Sequence, residues 1–222
     1  MDFLCFLWRG RHFDRPVATY SIEHVITLAN MLARHGGHTL TCAHDGISLP
    51  PHIRGIRIPS DVVMLDDYLP KLWAWSPELH QQMPARFACI DLDVVILDDI
   101  APVLATDDPI LLWDSARGEP YNTSLFALEN GCGHEVWTSL TAARLNMAKR
   151  LATRWTGDQS WVAFVLGTPG AQTFGEDTGI IRYRPSEHRA GVPSGTRAAF
   201  FCGPMAPNTE AKHSPWVKRQ WN

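Results

Sequence analysis

The opening of the chain constrains its fold more than any other stretch. Residues 3–8, Phe-Leu-Cys-Phe-Leu-Trp, are an unbroken apolar run. A strand apolar at every position needs cover on both faces, as in a buried parallel sheet. Ser21 then precedes Ile22, Val25, Ile26, Ala29 and Leu32. That spacing is the apolar stripe of a helix, with Ser21 placed to cap it. Gly36 and Gly37 stand where a helix ends. Leu40 to Ala43 follow as a second strand, and His44-Asp45-Gly46 as a turn. Strand, helix, strand in this order predicts a right-handed βαβ unit and an α/β fold.

The rest of the 222 residues continues in the same class. Strands are expected at residues 87–90, 94–97, 110–113, 124–128, 179–183 and 198–202. Helices are expected around 68–83, over 133–153 and from Asp158 on, with a last helical turn at 216–221. Residues 47–62 are rich in Pro and read as loop with a short strand. At about 150 residues per domain the chain makes one large domain or two small ones. No linker, repeat or charge run divides it, so residues 1–222 are taken as one domain, with 204–222 a tail able to fold over a site.

Composition removes several function classes. Lys+Arg 20 against Asp+Glu 23 gives a net charge of −3, which excludes a strongly basic nucleic-acid binder. No apolar run approaches the ~20 residues of a membrane span. The first strand begins with an acid and lacks a basic leader, unlike a signal peptide. Five scattered cysteines without a C-x-x-C pair suit reduced thiols in a cytoplasm. His35, His38, Cys42 and His44 are ligand types that zinc accepts. The glycine pair and the strand around Cys42 speak against that use.

The sharpest chemical feature is Asp91-Leu92-Asp93, where an apolar strand ends. Carboxyl ends of strands border the ligand crevice in open α/β sheets. Two carboxylates so placed can share one hard cation, and Mg²⁺ commonly takes one or two carboxylates plus substrate phosphates. The plain alternative is a pair of surface acids in a strand-exit turn. Lys71-Leu72-Trp73 precedes it, and Tyr121-Asn122-Thr123-Ser124, Gly157-Asp158-Gln159, Phe200-Phe201-Cys202-Gly203 and Trp216 follow.

In their order and spacing these segments resemble the GT-A nucleotide-sugar glycosyltransferases, notably small bacterial and phage members near the glycogenin and lipopolysaccharide galactosyltransferase group. The resemblance implies a single Rossmann-like α/β domain with a mixed, mainly parallel sheet flanked by helices. It implies transfer of a sugar, a hexose, from a UDP- or GDP-sugar to an acceptor hydroxyl. It implies Mn²⁺ or Mg²⁺ held on the donor diphosphate by Asp91 and Asp93. Lys71 then matches a basic position that reaches the donor. Asn122 and Ser124 match a segment lining the sugar pocket. Asp158 and Gln159 match an acid–amide pair beside donor sugar and acceptor, Asp158 being the candidate to position the acceptor or take its proton. Leu7, Trp8 and Arg9, with the loop to Arg11, would contact the nucleotide, and Lys212 and Lys218 could add positive charge at the phosphates. Relatives often carry a histidine near the Phe-x-Gly segment as a third metal ligand. Here Cys202 stands there, a poor ligand for a hard ion, and His213 is the substitute offered by the tail.

Each of these residues has a simpler reading beside it. Lys71 can be a solvated helix lysine, Asn122 a turn residue, Asp158 a helix cap, His213 a solvated histidine, and Trp216 and Trp221 packing groups. Two rival functions stay open at this point. One is a haloacid-dehalogenase-type phosphatase, which also places D-x-D after an apolar strand. The other is a sugar-nucleotide or carbohydrate binder without catalysis, since fold does not fix function.

Overall fold

The computed structural model describes residues 1–9, 20–114, 120–168, 170–201 and 205–221. The strands are β1 (Asp2–Leu7), β2 (Thr39–His44), β3 (Arg54–Arg57), β4 (Arg86–Ile90), β5 (Val94–Ile96), β6 (Ile110–Asp114), β7 (Tyr121–Glu129), β8 (Gln172–Phe174), β9 (Ile180–Arg182) and β10 (Ala198–Phe200). The helices are α1 (Ile22–Gly36), α2 (Ser60–Val63), α3 (Pro77–His80), α4 (Ala101–Leu104), α5 (His134–Thr138), α6 (Ala142–Leu151), α7 (Asp158–Leu166), α8 (Pro185–His188), α9 (Pro207–Glu210) and α10 (Pro215–Trp221). A 3-10 helix, Leu69–Trp75, lies between α2 and α3.

Seven strands form the main sheet in the order β3-β2-β1-β4-β7-β6-β8. β1 runs parallel to β2 and β4, β2 to β3, and β6 to β8, while β7 is antiparallel to both β4 and β6. A second sheet has the order β5-β10-β9. Phe3, Cys5 and Leu7 turn to the face covered by α1 and the small sheet, while Leu4 and Phe6 turn to the face covered by the 3-10 helix, α5 and α7. This two-sided cover is why β1 carries no polar alternation.

α1 starts at Ser21, whose N–H donates to His24 Nδ1 at 3.1 Å. It ends at Gly37, whose φ of 63° is the left-handed region that favours glycine. The expected long helix over 133–153 is two helices: the chain breaks at 139–141, and Thr141 Oγ1 accepts the Arg144 N–H at 3.3 Å to start α6. The tail packs as α9 and α10 against the body, with the Trp216 indole donating to the His188 carbonyl at 2.7 Å. No described helix is long and apolar enough to cross a membrane.

Candidate active site

β1 and β4 are parallel neighbours, so Leu7-Trp8-Arg9 and Asp91 leave the sheet at the same carboxyl edge. Two backbone hydrogen bonds fix the acidic segment there. The Asp91 N–H donates to the Ser124 carbonyl at 2.9 Å, and the Asp93 carbonyl accepts from the Phe201 N–H at 2.8 Å.

Lys71 comes up from the 3-10 helix into this edge. Its Nζ stands 2.8 Å from Asp91 Oδ1 and 3.0 Å from Asp158 Oδ2. Burial alone would lower the Lys71 pKa, but Asp158 and Asp91 overcome it and hold the ammonium above its ordinary range. Asp158 is the first residue of α7 and is buried. The N-cap is Gly157, so the Asp158 carboxylate faces Lys71 rather than capping its own helix. Thr123 Oγ1 donates to Asp158 Oδ2 at 2.7 Å.

Asp93 is half-buried. Burial first, then the Asp91 charge, push its carboxyl up to about 7, against the opposing pull of a hydrogen bond from Tyr20 and the charge of Lys71. Burial, followed by Asp93 and Asp91, also raises the Tyr20 phenol. Two carboxylates thus hold the Lys71 ammonium, and Asp93 feels the charge of Asp91 beside them, so acids outnumber cations in the cluster. That is the electrostatic setting in which a hard divalent cation fits. Among the described residues no three His, Cys, Asp or Glu side chains form a metal-ligand group. The described residues therefore offer such an ion no more than two carboxylates, and a hard cation commonly fills its other positions with substrate oxygens or water.

The remaining sequence candidates fall in different places. Asn122 Oδ1 accepts the Ser124 N–H at 2.8 Å, and both residues are buried. Gln159 is half-buried at the start of α7. Leu7 is buried; the Trp8 indole N–H is buried and has no partner among the described residues. Arg9 is exposed and its N–H donates to Asp45 Oδ2 at 2.8 Å. His213 and Lys218 are exposed on the tail, and among the described residues neither pairs with the cluster. Gly10, Arg11, Cys202 and Gly203 lie outside the described residues. The zinc candidates do not assemble: His38 Nε2 pairs with Asp99 at 2.7 Å and Cys42 is fully buried.

Sequence reasoning passed over Thr123 and Tyr20. Thr123 had a signal, since it sits between two singled-out residues and alternation turns it to the opposite side. The register of β7 against β6 shifts between Leu112 and Trp113, whose partners are Phe126 and Asn122. The residues left over, 123–125, bulge away from β6 beside the site, as irregularities next to active sites commonly do. Tyr20 merely precedes a helix cap and carried no signal.

No family model and no curated protein matches the chain. Solved structures do. The galactosyltransferase LgtC, in complex with donor and acceptor sugar analogs, superposes with a TM-score of 0.71 over 100% of this chain and 95% of its own, at 13% identity. The fold is that of the GT-A glycosyltransferases. The apo-form glycosyltransferase GlyE of Streptococcus pneumoniae TIGR4 matches at a TM-score of 0.63 and 10% identity, over 99% of this chain and 62% of GlyE. An active-site mutant of LgtC matches at a TM-score of 0.65 and 12% identity. The GT-A fold puts the edge that holds Lys71, Asp91 and Asp158 beside the carboxyl ends of β1 and β4, where open α/β sheets bind ligands.

Proposed function

We propose that this protein is a glycosyltransferase that moves a hexose from a UDP- or GDP-sugar to an acceptor hydroxyl, using Mn²⁺ or Mg²⁺ held by Asp91 and Asp93. One observation carries the proposal: a buried lysine clamped between two aspartates at the ligand edge of a GT-A fold. The bound cation supplies Lewis-acid stabilisation of the departing diphosphate. Lys71 takes Asp91 by Oδ1, and Asp91 with Asp93 would hold the cation by carboxylate oxygens not engaged by the lysine. An ammonium has three N–H donors; two meet carboxylates, and the third serves a phosphate or sugar oxygen of the donor.

Lys71 and Thr123 both hold Asp158 by Oδ2. Oδ1 is then the atom that orients the acceptor hydroxyl and receives its proton. Gln159 lies beside it as a hydrogen-bonding partner for sugar hydroxyls. Asn122 and Ser124 shape the sugar pocket from β7. Leu7, Trp8 and Arg9 form the nucleotide side, where the unpartnered Trp8 indole N–H is a donor for a base or ribose oxygen. His213 and Lys218 receive no role in this reading. Residues 1–222 act as one transferase unit in the cytoplasm, in keeping with the free state of the four described cysteines, Cys5, Cys42, Cys89 and Cys132. The phosphatase alternative requires another fold.

The test is release of nucleoside diphosphate from UDP- and GDP-hexoses with Mn²⁺ and a panel of acceptors. Wild type releases it, and Asp91→Asn with Asp93→Asn does not while keeping its circular dichroism. Equal release by both proteins removes the aspartates from the mechanism. Donor binding without release assigns the site to a binding protein instead.

A further inference from the structure

α6 is almost bare. Of its ten residues only Ala148 is buried. Met147 is 52% exposed and Leu151 69% exposed, two of the four large apolar side chains that the described residues leave open. They stand four residues apart and so share one stripe of the helix. A shallow pocket lined by Ala143, Asn146, Met147, Arg150 and Leu151 runs along that stripe.

Along the chain here the charge is one-sided, the acids Asp61 and Glu78 standing only at the first turn of the helix beside Thr141, Ala142 and Leu145. Residues 139–157 hold Arg144, Lys149, Arg150 and Arg154 and no acid, in a chain whose net charge is −3. None of the four is in an ion pair among the described residues. At 3.6 residues per turn, Arg144 and Arg150 lie roughly 60° to either side of Met147. Lys149 and Arg144 rest over the Trp155 and Phe164 rings, each 5.6 Å from the centroid. Apolar side chains along the crest with arginines on both flanks let the crest enter hydrocarbon while the guanidinium groups reach back to phosphates.

We infer that α6 and the turn after it dock this protein on an anionic lipid surface. A second copy of the chain fits poorly, because four cations would face four cations. A nucleic acid would leave the aliphatic crest unused. The inference does not rest on the proposed sugar transfer, and its test reads binding alone.

The full chain is sedimented with vesicles of phosphatidylcholine and with vesicles rich in phosphatidylglycerol. The expected result is binding to the anionic vesicles only, weakened by high salt as the charges are screened. Arg150→Gln with Arg154→Gln should reduce partition roughly 25-fold, about fivefold per charge. Met147→Gln with Leu151→Gln should also reduce it, with the thermal transition unmoved because all four side chains are exposed. Equal binding to neutral vesicles, no binding to either, or unchanged partition of the variants overturns the inference. So does preferential binding to a DNA oligomer, or a concentration-dependent dimer that Leu151→Gln abolishes.

Discussion

Thr123 and Asp158 are both buried, at 1% and 3% exposure, and joined at 2.7 Å. A hydrogen bond to a charged group in such a place contributes about 1.5–3 kcal/mol. Thr123→Val keeps the shape and removes the donor. Asp158 then keeps Lys71 but loses the group that fixes its rotation. The expected outcome is a stability loss of that size and a fall in kcat of about tenfold, at nearly constant KM for the donor, if Asp158 orients the acceptor. Thr123→Ser should restore both. A denaturation curve and steady-state rates on the two variants check this. Gly157, one residue before Asp158, has φ +72° and ψ −125°, and a Cβ there would stand 3.0 Å from Asp67 Oδ2. Gly157→Ala should therefore cost about 1–3 kcal/mol, read as a lowered melting temperature. A variant as stable as wild type would mean that the backbone at residue 157 carries no such strain.

At the scale of elements, what the sequence made legible follows from burial. β1, α1 and β2 announce themselves because both faces of the sheet are covered and the helix has one wet side. The D-x-D segment was legible because it ends such a strand. β8 is three residues long and its first two are not buried, so neither run nor alternation marks it. The helix expected over 133–153 breaks at Thr141, which caps α6; α5 packs on the 3-10 helix and α7, and α6 packs on α7 with most of its surface exposed, an arrangement set by tertiary contacts rather than by apolar spacing. Thr123 reaches Asp158 through the β7 irregularity, which depends on register with β6 and leaves no trace in composition. Lys71 was placed in the sequence by resemblance. Its bridge between residues 20 and 87 positions away is a property of the fold.

Over the whole molecule, a second polar centre lies away from the carboxylates. His80 Nδ1 accepts from the Gly131 N–H at 2.9 Å and stands 3.1 Å from His134 Nε2, while His80 Nε2 meets the Ala74 carbonyl at 3.0 Å. Burial first, and then His134, push His80 down to about 4 from its ordinary 6.5. The folded state therefore resists a proton that the unfolded state accepts. This contribution is whole above pH 6.5 and is lost as pH falls through the interval down to about 4, at most about 3 kcal/mol. His80→Gln should flatten the stability profile over that interval, and an unchanged profile would remove His80 as its cause. At the other centre, Asp91 and Asp93 are proposed to hold a divalent cation against a nucleoside diphosphate. Isothermal titration of UDP and GDP into the protein, with and without Mn²⁺, measures that coupling directly. One of the two nucleotides should bind strongly only when Mn²⁺ is present, and Asp91→Asn with Asp93→Asn should lose the Mn²⁺-dependent part. Binding that is indifferent to Mn²⁺, or equally tight in the double variant, would contradict it.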